Sequence, residues 1–434
     1  MRSRVRAGGI AALVGLLVLG AALLGGASSA QASHAKRVYA VSTLDSLGGT
    51  YALGSSINNA DWVAGLSTVA SGDTHAGLWR FGSVADLGTF GGPGTNSAVL
   101  WPVKNEQGVI SGIAETDDFN PLGEIWSCGY FFTLSTHTCS GFVWQNGQKR
   151  ALPTLGGYNS FATGTNNHGQ TVGWAETSTP DPTCTETQVL GFLAVIWGPG
   201  EDDIQPLPPL PGDHATAATA INDKGQVVGI SGDCDRAFGR FTAKHNVLWE
   251  KGVPVNIGDL GGVAWNTPMA INRKGEVVGF SNTSAAAGAA FQAHAFLSTK
   301  PGKIEDLGTL GDDPYSQALG INENRQVVGV SYSASFRCRA FLWEHGVMID
   351  LQEQASGYSN RLCSANDIND LGQITGEAVT ATGAHVPFLA NPVGPSSNNR
   401  LVPSAAPQAA PKVSWAALER TLARSGIRKE DLTR

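Results

Sequence analysis

A nine-residue phrase recurs seven times along this 434-residue chain: an apolar stretch, Asn, a turn usually centred on Gly, and a second apolar stretch ending in Gly. The copies are Ile57–Gly65, Lys104–Gly112, Thr165–Gly173, Ile221–Gly229, Ile271–Gly279, Ile321–Gly329 and Ile368–Gly376. Their closing glycines fall 47, 61, 56, 50, 50 and 47 residues apart. Self-similarity at such a period marks a repeat architecture, in which each unit buries its apolar face only against its neighbours.

Each unit parses into four strands. The first is rich in small residues and ends at Ile-Asn, as in Ala215–Ile221; the second follows a hairpin turn, as in Gln226–Ile230. Gly169, Gly225, Gly275 and Gly372 suit the left-handed position of that turn, and Asp61 is tolerable there. Arg325 is unsuited, so the spacing predicts a shifted turn with Asn324 taking the strained position. The third strand ends in Trp79, Trp144, Trp197, Trp249 and Trp343, and a Trp-x-x-Gly turn leads into the fourth. Gly-rich connectors such as Asp306–Gly311 join one unit to the next. Runs such as Gln-Val-Val-Gly lack polar alternation, which predicts sheets covered on both faces. The 55 glycines and a charged content of only 15% also favour short strands with tight turns over helices.

The two ends of the repeat array complement each other. The seventh unit stops after its third strand, near Ala390, while the chain opens with an orphan strand at Arg37–Leu44. The expectation is all-β: a seven-bladed β-propeller of four-stranded antiparallel blades over 33–390, closed by the N-terminal strand. An open solenoid is the alternative, but it needs polar capping repeats.

Three phrases carry a family resemblance: Asp306–Gly311, Ile321–Gly329 and His294-Ala295-Phe296-Leu297. In fixed order they resemble the extracellular HAF repeat, over essentially 38–390. The match departs from the pattern in places: His occupies the third phrase only at His75, His245 and His294, and the first three units are degenerate. The resemblance implies an exported repeat protein and no established activity.

Residues 1–32 read as a signal peptide, with Arg2, Arg4 and Arg6, an apolar run Ile10–Leu24 and a cleavage-type Ala30-Gln31-Ala32. An extracellular, secreted protein is therefore expected, without a membrane span. Residues 391–412 form a Pro/Ala/Ser-rich linker. In 413–434, Trp415, Leu418 and Leu422 recur at helical spacing, predicting a short C-terminal helical segment; an unstructured or self-docking tail and a partner-binding helix are the alternatives. Without the signal the formal charge moves from −7 to −10; residues 391–434 hold seven basic and three acidic side chains, leaving −14 on 33–390. An acidic body argues against nucleic acid as the partner. Six cysteines in an exported chain read as disulfides, with fifteen pairings open. Cys128 with Cys139 shares one insertion; Cys184 with Cys234 and Cys338 with Cys363 would join neighbouring units.

Turns alternate between the ends of a meander, so one end carries the short uniform hairpins and the other nearly all the length variation. The variable segments are Ile113–Cys139, Ala175–Gly191, Ser231–Lys244 and Ser281–Gln292. The expected function is a monomeric binding or interaction scaffold holding an extracellular glycan or protein on this loop-rich rim. Tolerated insertions are the plainer reading of the same loops. No catalytic signature, cofactor motif or metal-ligand spacing appears: His75, His245 and His294 cannot form a metal ring, and Asp118–Glu124 lacks the full calcium-loop pattern. The alternative function is a propeller glycan hydrolase or lyase using loop carboxylates such as Asp117, Glu124 and Glu176, since Asp367 is the one acid on the first strands.

Overall fold

The computed structural model describes residues 38–103, 105–124, 128–132, 135–184, 187–200, 202–234, 242–262, 264–284 and 292–393. The expected signal peptide, most of the linker and the C-terminal helical segment lie outside the described residues. Within them the chain is all-β, apart from one α-helical turn at Cys128–Phe131 and a 3-10 turn at Leu351–Gln354.

Five antiparallel sheets have four strands each, paired in chain order. One is built from Ala215–Ile221, Val227–Gly232, His245–Glu250 and Val253–Asn256. A sixth sheet has eight strands: Arg361–Ile368, Ile374–Val379 and His385–Val393 continue into Gly48–Ile57 and the three strands after it. The two groups meet at a single parallel bridge, Tyr51 to His385. The N-terminal strand Val38–Thr43 lies antiparallel on His385–Val393, from Val38 opposite Val393 to Thr43 opposite Phe388. The last strand thus runs to Val393, beyond the expected boundary at Ala390, because Val38–Ala40 give Asn391–Val393 partners.

The repeated phrase has a steric basis at its closing Gly. Six of the seven first strands carry a bulge, between Ala218 and Ala220 in one unit, and each first strand sets a carbonyl over the second strand. At Gly65, Gly112, Gly173, Gly229, Gly279, Gly329 and Gly376 a Cβ would stand 1.8–2.3 Å from that carbonyl oxygen. No side chain fits there. All residues of Val227–Gly232 are buried, as expected of sheets covered on both faces. The strand-terminal indoles brace the connectors: Trp197 Nε1 donates to Pro153 O at 2.9 Å, Trp249 Nε1 to Pro208 O at 2.7 Å and Trp79 Nε1 to Asp45 O at 2.6 Å.

The invariant Asn does more than form a turn. Asn222 Oδ1 accepts from the amides of Lys224 and Gln226, while Nδ2 donates to Gln226 Oε1 and to the backbone O of Asn272 in the next unit. The inter-unit bond repeats throughout: Asn58 to Asn105, Asn105 to Asn166, Asn166 to Asn222, Asn222 to Asn272, Asn272 to Asn322, Asn322 to Asn369, and Asn369 back to Asn58. The seven donor–acceptor distances run from 2.8 to 3.4 Å, and all seven side chains are buried. Only an amide supplies acceptor and donors on so short a stem. This also explains the Gln or Glu four residues on, which takes the second amide hydrogen at Gln170, Gln226, Glu276, Gln326 and Gln373.

Arg325 corrects one expectation. It adopts the left-handed conformation itself, at φ 58°, and Asn324 does not take its place. The Asn322 side chain holds the amides of Asn324 and Gln326 as in every other unit, and the Arg325 guanidinium pairs with Glu276 of the preceding unit. The framework dictates the turn.

Asn222→Asp should lower stability at neutral pH by about 2–3 kcal/mol, the cost of an orphaned buried carbonyl and an acceptor facing it. Because only the protonated acid can donate to Asn272, the loss should shrink as pH falls; chemical denaturation at pH 7 and pH 4 measures both.

Candidate functional site

The loop-rich end is built on Glu124 and Glu176, both fully buried. Glu124 lies in the insertion between the second and third strands of its sheet, and Asn120 Nδ2 donates to its backbone O at 2.8 Å. Its Oε1 accepts from the amides of Val189 and Leu190 at 3.0 and 2.6 Å, on the loop of the neighbouring sheet. Gln188 Nε2 lies 3.2 Å from Glu124 and 3.5 Å from Glu176. Glu176 in turn accepts from the amides of Tyr158 and Asn159 at 3.0 and 2.9 Å. Burial raises both carboxyls above the usual range; Glu176, with the Glu124 charge beside it as well, is pushed up to about 7.

Two disulfides brace this framework, Cys128–Cys139 within the insertion and Cys184–Cys234 between adjacent sheets, while Cys338–Cys363 joins two further sheets elsewhere. The helical turn after Glu124 sends Phe131 and Phe132 onto an apolar cluster with Trp101, Phe161, Trp174 and Trp265. Trp101, Phe161 and Trp174 meet at ring-centroid distances of 4.4–6.0 Å. Hydroxyls of the small-residue first strands are spent on neighbouring strands: Ser55 Oγ donates to Val99 O, Thr163 Oγ1 to Ala218 O and Thr219 Oγ1 to Pro268 O. Asp367 is likewise structural, accepting from the Ile57 amide at 3.0 Å.

Four large apolar side chains stand exposed at this end. Phe119, Tyr158, Leu122 and Val189 are 71%, 47%, 41% and 38% exposed. Each sits on backbone tied to the carboxylate pair or to Asn120, whose amide donates to Thr136 O. Phe119 stacks on His137, with ring centroids 5.2 Å apart.

The opposite end carries the asparagine cycle and, one residue further on, Asn59, Glu106, Asn167, Asp223, Arg273, Glu323 and Asp370 around a cavity of about 70 Å³. Their amides donate to the next side chain in turn, as Glu106 N does to Asn167 Oδ1 and Glu323 N to Asp370 Oδ1. Arg273 has no acceptor to continue the pattern and reaches Asp370 Oδ2 at 3.1 Å. These carboxylates are engaged in hydrogen bonds.

Other sequence candidates resolve as structural. His75, His245 and His294 stand 2.8, 2.8 and 2.9 Å from Asp86, Asp213 and Asp306, far from a shared centre. Burial would raise these three aspartates, but their hydrogen bonds hold the carboxyls below the usual range. Asp181 approaches the sulfurs of Cys184 and Cys234, which are joined in a disulfide and are not thiolate ligands. In the segment Asp118–Glu124, the Glu124 carboxylate accepts from Val189 and Leu190, not from the segment itself. Asp117 accepts from Gly92 N at 2.7 Å. Of the three loop carboxylates, Glu124 and Glu176 are buried and bound to backbone amides, while Asp117 is exposed.

No family model matches the chain, and no curated protein does. Among solved structures, a puromycin-hydrolyzing peptidase of Mycobacterium tuberculosis is 10% identical with a TM-score of 0.46, covering 82% of this chain and 56% of its own. A triple arginine-to-alanine mutant of AofleA from Arthrobotrys oligospora is 11% identical with a TM-score of 0.37, covering 82% and 93%. AofleA itself is 10% identical with a TM-score of 0.30, covering 72% and 85%. This chain spans little over half the peptidase's length, and likeness at this level carries no argument about fold or function.

With its folded pKa raised, Glu176 favours folding most at low pH, and that contribution fades as pH rises from about 5 through 7. Thermal stability of the wild type should therefore fall across that window relative to Glu176→Gln, in which the carboxyl no longer titrates. Parallel melting curves for the two proteins would contradict the assignment.

Proposed function

We propose that this chain is an exported protein of the HAF-repeat type, folded as a seven-bladed β-propeller that serves as a binding scaffold. Support for the propeller comes from the asparagine hydrogen bonds, which return from Asn369 to Asn58, and from the N-terminal strand on the last sheet. Export is supported by the three disulfides, which an oxidising compartment preserves. The body acts as a monomer.

The ligand is an extracellular glycan or protein, held on the loop-rich rim. The observation that carries this reading is the exposure of Phe119, Leu122, Tyr158 and Val189 on loops fixed by Glu124, Glu176 and disulfides. Scattered apolar side chains are normal on a surface, whereas rigid aromatic ones on braced loops form a contact platform at small entropic cost. The secreted protein is to be screened against extracellular polysaccharides and secreted proteins. Phe119→Ala with Tyr158→Ala should weaken the recovered interaction about tenfold or more at unchanged melting temperature. Undiminished binding would overturn the rim assignment, and turnover abolished by changes at Asp117 or Glu124 would replace the scaffold with a hydrolase or lyase.

A further inference from the structure

A groove of about 530 Å³ opens where the N-terminal strand and the last strand approach the first complete four-stranded unit. Leu44, Val63, Trp79, Phe81 and Leu389 line it, and its charged residues are Asp45, Asp61 and Arg80. It belongs to the end that carries the uniform hairpins, since both Asp61 and the turn after Trp79 sit on it.

Phe81 is the anomaly. It is 87% exposed and has φ +53°, in a two-residue turn with Gly82 at φ +75°. Equivalent turns place Asn146, Lys251 and His345 at that position. A bulky aromatic in the left-handed region is strained and gains nothing from exposure to water, so a role in contact is the physical reason for its presence. Its contacts among the described residues are Trp62, edge-on at 6.3 Å, and the Arg80 guanidinium at 5.9 Å.

The chain itself leads back to this place. The last described strand pairs Ala390 with Ile374, directly after the hairpin of Asn369, and ends three residues later at Val393, on the same end of the molecule as the groove. Residues 394–434 follow, with seven basic and three acidic side chains against an acidic body. A coil of the 20 residues that 394–413 supply spans about 25 Å. Four residues of strand separate Leu389 from Val393, roughly 14 Å. Reach is ample.

We infer that the groove is a docking site for this chain's own C-terminal segment, with Trp415 seated against Trp79 and Phe81. Leu418 and Leu422 recur at helical spacing after Trp415, and Arg420 and Arg424 are of opposite charge to Asp45 and Asp61. The contact tethers the tail across the seam between the first and last strands. It is independent of any ligand on the loop-rich rim.

Hydrogen exchange of the full secreted chain tests this. Trp415→Ala should speed exchange at the amides of Phe81–Ser83 and Ala60–Trp62 about tenfold and leave the turns at Asn146 and Lys251 unchanged. Phe81→Asn, which suits the turn, should leave the fold intact and accelerate tryptic cleavage after Arg420 and Arg424 by a similar factor. Exchange unaltered by Trp415→Ala, or cleavage unaltered by Phe81→Asn, overturns the inference. So does protection that grows with protein concentration, which would mark a second copy as the occupant.

Discussion

A buried primary amide is the element on which the rest of this structure depends. The asparagine at each first hairpin satisfies two backbone donors of its own turn and reaches the carbonyl of the next unit. Each contact alone contributes about 1 kcal/mol, but leaving any one unmade inside the protein costs more. Since every amide is linked to its neighbours, no unit can rotate or slide without orphaning buried groups in two others. The closing glycine of the phrase works with it: bulged first strands press carbonyls onto the second, and a methyl group there would collide with backbone. Hydrogen bonding fixes the spacing of the units, and steric exclusion fixes the approach of their strands.

This framework frees the other end of the molecule. The hairpin end tolerates little variation, because even Arg325 is forced into a left-handed turn to keep the pattern. Insertions accumulate where that pattern is absent, and there different interactions hold the chain. Glu124 crosses from one sheet to the loop of the next, Cys184–Cys234 makes a second crossing, and Phe131 and Phe132 close over an aromatic cluster. The carboxylate pair is a costly form of bracing, since burial drives Glu176 toward neutrality near physiological pH. It is also selective, because amides of two separate segments, 158–159 and 188–190, converge on two side chains.

Much of this was legible in the residues. Ala215–Ile221 is bounded in the structure as the repeat predicted, and the orphan N-terminal strand pairs with the last sheet within a residue of its expected limits. The three disulfides join the cysteines that shared an insertion or flanked adjacent units. Periodicity reveals such features because each is local or repeats. The role of the Asn side chain was less visible, since a turn-forming Asn and one that also reaches the next unit look alike in one copy. The Gln at Gln226 and Gln326 was the available signal, as it has no purpose in a simple hairpin. At Arg325 the tertiary hydrogen bonds of Asn322 and the pairing with Glu276 override intrinsic turn preference, and no single copy of the phrase displays them. The union of Glu124 with Glu176, and the strained exposure of Phe81, arise from chain segments that nothing in the spacing brings together.

The proposed propeller stands on the return of the chain to its own beginning, and a thiol-specific cross-link tests this most directly. Val41 and Ala390 are opposed residues on the N-terminal and last strands, and the native cysteines are all engaged in disulfides. With Val41→Cys and Ala390→Cys in the full chain, a short bis-thiol reagent should give a single intramolecular product in dilute solution. Two thiols that remain unlinked, or that join only between molecules, would contradict the closure.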